Sequence, residues 1–296
     1  MTAWNTIAER IEAATGRPFR MVEQRNLGGG CISAAYRVEA EDGRQFFVKF
    51  NRASEAEMFY AEAEGLAEIA AAEAVRCPEP VVWDVAGDQV FLVMEYLPLG
   101  GRADAGTARR LGEGLAAMHG RTRPRFGWHR DNTIGSTPQP NGEMDDWVAF
   151  WRERRLGFQL DLAERNGYGR ELREGGNDLL ERLGAFFTDY TPVPSLLHGD
   201  LWSGNWDVTA DGEPVIFDPA VYFGDREADL AMTELFGGFP RDFYAAYDAS
   251  WARDAGYGVR RDLYNLYHIL NHLNLFGTAY LGRASSLIER LNSEAR

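Results

Sequence analysis

LLHGDLWSGNWDV, residues 196–208, decides how the rest of the chain is read. Two leucines lead into it and a strand-like run leads out. Between them stand His198, Asp200 and Asn205, spaced H-x-D-x-x-x-x-N, with Trp202 in the middle. Polar groups crowded beside apolar sequence need hydrogen-bond partners or a chemical use. A His-Gly-Asp turn by itself is ordinary turn chemistry, with the Asp bonding nearby backbone. The surrounding sequence is what separates the two readings.

Downstream, NWDVT and EPVIFD read as two strands joined by ADG, so Asp218 emerges at the end of a buried strand. Upstream, Phe19 to Phe50 reads as three strands, FRMVEQRNL, AAYRVEA and RQFFVKF, separated by the turns GGGCIS and EDG. A helix follows from about Ser54, its N-cap, to Glu73, and CPEP ends it. EPVVWDVAG and DQVFLVMEYL are two further strands before PLGG breaks the pattern near residue 100. Beyond that the sequence is mostly helical, over about 104–119, 144–165, 169–187, 227–236, 240–252 and 260–281. A stretch of about 20 residues, RPRFGWHRDNTIGSTPQPNG, shows no periodicity, and loops that long are usually functional or disordered. The expected architecture is α+β and bilobal: an N-lobe over 1–96 with a small antiparallel sheet and one main helix, and a larger, mostly helical C-lobe over 97–296.

Period-two alternation puts Gln45, Phe47 and Lys49 on one face of the third strand and Phe46, Val48 and Phe50 on the other. An ammonium among apolar neighbours needs a counter-charge. On the following helix, Phe59, Glu62, Leu66 and Ile69 share one stripe, which makes Glu62 the candidate partner. A Gly-rich turn at Gly28, Gly29 and Gly30, a lysine–glutamate pair, H-x-D-x-x-x-x-N and a later Asp form, in this order, the set that phosphoryl transfer by a kinase requires. Lys49 and Glu62 would position the phosphates, Asp200 would take the acceptor's proton, and Asn205 and Asp218 would offer oxygen ligands to Mg²⁺ beside ATP. DPAVYFGDREADLAM follows Asp218 where a protein kinase has Phe-Gly and an activation segment, leaving too little chain for a peptide-docking platform. The acceptor is therefore a small molecule or one side chain on a loose peptide.

Composition agrees with that partner. Hydrophobic residues at 45% can fill a sizeable core, and a net charge of −14 with no basic run argues against a nucleic-acid or anionic-membrane surface. The two cysteines, Cys31 and Cys77, have no metal-ligand spacing, and the N-terminus lacks a leader pattern, so a cytoplasmic protein is expected, monomer or homodimer.

HGDLWSGN, DNTIGSTPQPN, FDPAVYFGDREADLAMTELFGGFP and LGGGCIS together resemble the fructosamine kinase (ketosamine 3-kinase) family, within the aminoglycoside and choline kinase-like group of the protein-kinase-like fold. The similarity runs from about residue 15 to 280. It implies ATP-dependent phosphorylation of the 3-hydroxyl of a ribulose-, erythrulose- or fructose-derived ketosamine, free or protein-linked, after which the adduct falls apart and frees the amine. It implies that Asp200 is the base, Asn205 and Asp218 are the metal ligands, and Met94, Glu95, Tyr96 and Leu97 form the hinge that binds adenine. Trp202 either lies against the sugar or packs beneath the loop; Asp131 and Asn132 either touch the acceptor or stabilise turns. His198 is read as bonding backbone, His119 as a helix C-terminal cap and Asp229 as a brace for the catalytic loop. Cys31, at the tip of the phosphate loop, is read either as a redox-sensitive thiol or as a small buried hydrophobe. The rival functions are a kinase of the same fold for an aminoglycoside, choline or another amino alcohol, and a nucleotide-binding regulator without catalysis.

Overall fold

The computed structural model describes residues 3–29 and 33–295. Gly30 and Cys31 lie outside the described residues. The chain divides into two compact units, Met1–Ala103 with Asp207–Pro219, and Asp104–Trp206 with Ala220–Arg296. A single cut at residue 97 does not reproduce this division, because a hairpin from late in the sequence joins the first unit.

The first unit contains α1 (Ala3–Thr15), β1 (Met21–Gly29), β2 (Ala34–Ala40), β3 (Gln45–Arg52), α2 (Ala56–Ala70), β4 (Pro80–Ala86) and β5 (Gln89–Glu95). The strands form one antiparallel sheet in the order β1-β2-β3-β5-β4. Alternation in β3 sends Phe46, Val48 and Phe50 into a core with Phe91 and Val93 of β5 and with Ile7 and Ile11, one turn apart on α1. Burying each such side chain is worth about 1.5–3 kcal/mol, which fixes the register that sends Lys49 to the opposite face.

Two local expectations fail here. The chain enters α2 through a 3₁₀ turn at Ala53–Glu55, and Ser54 bonds Glu55 at 3.2 Å rather than capping the helix. The helix stops at Ala70, and Glu73 takes a left-handed φ of 51°. Gly28 and Gly29 are not turn residues: they extend β1 and pair with Ala35 and Ala34, with an irregularity at Gly28, whose φ is 80°.

In the second unit, α3 (Ala105–His119) starts at Asp104, whose side chain accepts from Thr107 N at 2.8 Å. The aperiodic stretch contains a small hairpin, β6 (Asn132–Ile134) with β7 (Thr137–Gln139). Helix α4 (Trp147–Phe150) passes into a π-helical segment, Trp151–Gly157, and then into α5 (Phe158–Arg165), where one continuous helix was expected. Then come α6 (Arg170–Arg182) and β8 (Ser195–Leu197); after the late hairpin β9 (Trp206–Val208) and β10 (Pro214–Ile216), which belongs to the first unit, follow β11 (Tyr222–Gly224), α7 (Glu227–Leu235), α8 (Arg241–Ser250), α9 (Tyr257–Phe276) and α10 (Leu281–Glu294). Strand β8 pairs antiparallel with β11, Leu197 opposite Tyr222. Helix α10 was not anticipated, although Ala284, Leu287, Ile288 and Leu291 give it a buried i, i+3, i+4, i+7 stripe. Among the described residues no helix is long and apolar enough to cross a membrane.

His268 on α9 is only 4% exposed, and burial, helped by His272, pushes its pKa down to about 3. The unfolded chain protonates this ring below about pH 6.5 while the folded protein keeps it neutral. Stability from this group is therefore complete above pH 6.5 and lost as the pH falls, by about 1.4 kcal/mol per unit. Glu227, pushed up to about 6 by burial, acts oppositely: folding favours its proton, so it adds stability as the pH falls through that value toward 4.5. The expected result in urea unfolding at pH 7.5 and 5.5 is that His268→Leu loses about 1.4 kcal/mol less than wild type across the interval. Equal losses would show that His268 is not held neutral.

Candidate active site

In the first unit, Lys49 Nζ donates to Glu62 Oε1 and to Asp218 Oδ1, both at 2.6 Å. The lysine and Glu62 side chains are each 13% exposed, whereas that of Asp218 is 50% exposed. Burial works against the Lys49 charge, yet Asp218 and Glu62 outweigh it and hold the ammonium's pKa above its ordinary value. Burial pushes the Glu62 carboxyl up, with Lys49 pulling against it. A cation flanked by two carboxylates is firmly protonated, as a phosphate-binding lysine must be.

The late hairpin brings Asp218 to Lys49. Gly101 N donates to Val208 O at 2.9 Å, Ala210 N to Pro98 O at 2.9 Å and Ile216 N to Arg76 O at 2.9 Å, so backbone bonds fasten the hairpin to the first unit. A Cβ at Gly101 would lie 2.0 Å from Thr209 O, so only glycine permits this approach. Asp218 has φ 58°, a left-handed conformation uncommon outside glycine that costs on the order of 1–3 kcal/mol. Such conformations concentrate at functional sites.

At the end of β5, Met94 is buried, while Glu95, Tyr96 and Leu97 are partly exposed. Glu95 N donates to Glu79 O at 2.8 Å, and the Glu95 carboxylate bonds Arg76, so this side chain faces a structural partner. Cys77 is buried against Leu66 O, and burial raises its thiol to about 12, which leaves it unreactive at neutral pH.

In the second unit the loop after β8 is held from behind by Asp229 near the start of α7. Its Oδ2 accepts from His198 N at 2.7 Å and its Oδ1 from Gly199 N at 2.8 Å. Burial opposes the Asp229 charge, but hydrogen bonds from His119 and the loop amides hold its pKa below the usual carboxylate range. His119 does not cap α3. Fully buried, it places Nε2 3.2 Å from Asp229 Oδ2 and Nδ1 2.8 Å from the Tyr247 hydroxyl. Gly199 has φ 83° and no room for a Cβ, which would lie 2.1 Å from Ala220 O.

The loop then closes on itself. Asp200 N donates to His198 Nδ1 at 3.3 Å, Asn205 N to Trp202 O at 3.0 Å, and Asn205 Nδ2 to Asp200 O at 2.9 Å. The amide nitrogen of Asn205 is committed to the loop, and its oxygen is the acceptor atom of the side chain. Asn205 in the second unit and Asp218 in the first each carry a hard oxygen donor of the type Mg²⁺ prefers. Among the described residues no group of three His, Cys, Asp or Glu forms a metal site of its own.

Trp202 shows elements of both readings: it meets Phe236 edge-on at 6.4 Å and crowds Gly204, where a Cβ would lie 2.3 Å from the ring, yet it is 38% exposed. Asn132 is buried and donates to Val221 O at 2.8 Å, and Asp131 Oδ1 accepts from Asn141 N at 2.7 Å. Asp131 thus organises its own loop, and Asn132 ties that loop to residue 221. Sequence reasoning missed Gln139, Asn141, Arg155 and Tyr267, which continue this polar network. Arg155 lies four residues after Trp151, a helical spacing that could have flagged it.

The fold is that of protein-kinase-like phosphotransferases: an aminoglycoside phosphotransferase crystallised with AMP-PNP and hygromycin B superposes with TM-score 0.64 at 15% identity, covering 98% of both chains, a likeness of fold alone. The family model for fructosamine kinase matches residues 3–294, and the chain belongs to that family. It is 46% identical to the "Probable ketoamine kinase" of Synechocystis sp. over 97% of this chain and 96% of that one. It is 42% identical to the chloroplastic "Protein-ribulosamine 3-kinase" of Arabidopsis thaliana over 93% and 84%. The "Putative fructosamine-3-kinase" of Haemophilus somnus, a crystal structure, matches with TM-score 0.89 at 26% identity, covering 97% of each chain.

Proposed function

We propose that the protein transfers the γ-phosphoryl group of MgATP to the 3-hydroxyl of a ketosamine, and so promotes release of the amine. The observation that carries this reading is the Asp229-braced loop presenting Asp200 and Asn205, in a chain that the fructosamine kinase family matches over residues 3–294. Asp200 orients the acceptor hydroxyl and takes its proton as the oxygen attacks the γ-phosphorus and the bond to ADP breaks. Lys49, held by Glu62, positions the α- and β-phosphates; backbone at Gly28 and Gly29 covers them, and backbone from Met94 to Leu97 takes the adenine. Asn205 and Asp218 hold Mg²⁺, which when bound neutralises the charge on the β- and γ-oxygens. The exposed part of Trp202 contacts the sugar. The protein works in the cytoplasm, on ketosamines of small amines or of protein lysines.

The test is mass spectrometry of ribulosamine, erythrulosamine and fructosamine adducts with MgATP, run beside an aminoglycoside and choline. Added phosphate on one or more ketosamines, followed by release of the amine, is the expected result. Phosphate on the aminoglycoside or choline alone would overturn the ketosamine assignment, and no transfer to any acceptor despite tight MgATP binding would leave a regulator.

A further inference from the structure

Arg155 sits where an apolar side chain would serve the fold better. It is 0% exposed and lies in the π-helical segment Trp151–Gly157, and such segments inside α-helices recur at functional sites. Its polar partners are all neutral: Nη1 donates to Pro140 O at 2.6 Å and Arg154 O at 3.0 Å, and Nη2 to Asn141 Oδ1 at 2.7 Å. Nε has no partner among the described residues. The guanidinium lies over three rings, Tyr222 at 4.0 Å, Phe150 at 4.7 Å and Tyr267 at 5.8 Å. Cation–π contact and three carbonyl acceptors offset part of the desolvation cost, but a buried charge without a counter-ion is rarely the most stable filling of such a space.

What Arg155 holds leads to the catalytic loop. Asn141 Nδ2 donates to Asn132 Oδ1 at 2.8 Å, and Asn132 Nδ2 to Val221 O at 2.8 Å. Gln139 Nε2 donates to Asn132 Oδ1 at 2.8 Å and to Ala220 O at 3.1 Å, while Gln139 Oε1 accepts from the Tyr267 hydroxyl at 2.7 Å. The gripped segment, Ala220 to Tyr222, begins two residues after Asp218. Ala220 N donates to His198 O at 2.8 Å, and Tyr222 pairs with Leu197. Every link from the guanidinium to the strand before Asp200 is thus a buried hydrogen bond, a ring contact or a ladder pair.

We propose that Arg155 is a positioning residue for phosphoryl transfer: through the 132–141 hairpin and Tyr222 it sets the place of residues 220–222, and through them the loop that carries Asp200. The proposal rests on the phosphotransferase reading above. A misplacement on the order of 1 Å costs a reaction about 10²-fold without touching the reacting groups.

Arg155→Met tests it. The variant removes an uncompensated buried charge but strands the carbonyls of Pro140 and Arg154 and the Asn141 amide oxygen, two opposed effects, so its melting temperature should stay within about 5 °C of wild type. Its kcat should fall about 10²-fold while KM for ATP stays within about twofold, since the affected loop aligns the acceptor. Hydrogen exchange should quicken roughly tenfold in the segments 196–202 and 219–224, whose local opening the grip restrains. Wild-type kcat, or unchanged exchange in those two segments, would overturn the proposal. If Arg155→Met does not fold, Arg155→Lys decides: it keeps the charge but not the planar fork, so a fall in kcat is expected and wild-type kcat overturns the proposal. A wild-type protein that turned over no ketosamine would refute the functional reading, while the exchange measurement would still judge the grip.

Discussion

Asp200→Asn is expected to fold and melt like wild type, to bind MgATP with unchanged affinity and to lose about 10²-fold or more in kcat, the usual range for removal of a general base. The loop's geometry explains why folding should survive. The amides of His198 and Gly199 are anchored on Asp229, and Asn205 reaches the main-chain carbonyl of Asp200 at 2.9 Å but its carboxylate at only 3.4 Å. These anchors do not depend on the charge of the Asp200 side chain, and an amide of the same shape can replace it. What the amide cannot do is accept the hydroxyl proton. Turnover within about threefold of wild type, measured with ATP and acceptor saturating, would remove Asp200 from its role.

Asp229→Ala should have the largest effect on stability. The carboxylate is 1% exposed and serves His198 N, Gly199 N and His119 Nε2 at once. Truncation strands buried donors at about 1–3 kcal/mol each, and breaking a buried charged cluster typically costs about 3–5 kcal/mol. Against a total stability of about 5–15 kcal/mol, the melting temperature should fall by on the order of 10 °C. Asp229→Asn keeps one acceptor oxygen and should fall between the two. The folded fraction of the alanine variant should also turn over slowly, because Asp200 would ride on an unanchored loop. A loss below about 1 kcal/mol in Asp229→Ala would mean that the loop is held by something other than this carboxylate.

The five-stranded sheet could be read from sequence because alternation in FFVKF and a hairpin turn at EDG are local signals, and the same alternation aimed Lys49 at Glu62. Four strands of the second unit were not readable, because the runs at 132–134, 137–139, 195–197 and 222–224 have three residues each and no period to detect, whereas the equally short β9 and β10 lie in the longer strand-like runs NWDVT and EPVIFD on either side of ADG. Pairing with a distant partner is what makes them strands. The late hairpin's place in the first unit is likewise a tertiary fact, fixed by bonds to Arg76, Pro98 and Gly101 that no local pattern announces. Arg155 was lost among the arginines of WRERRLG, because a charged residue on an apolar stripe is usually a boundary residue. Helix α10, by contrast, carries a local signal in its stripe of Ala284, Leu287, Ile288 and Leu291. Asp131 and Asn132 are candidate acceptor contacts because polar loop residues often bind ligands; Asn132 is buried on Val221 O, while Asp131 stays exposed with one oxygen on Asn141 N.

The most direct test of the account is where the phosphate goes. Proton and phosphorus NMR of a ketosamine incubated with the wild-type protein and MgATP, with Asp200→Asn as control, locates the new phosphoester by its coupling to the sugar protons. The expected spectrum shows phosphate on O3, a signal that then decays as free amine appears, and neither signal with the variant. Phosphate on another hydroxyl, or product formed equally well by Asp200→Asn, would contradict the assignment of this protein as a ketosamine 3-kinase working through Asp200.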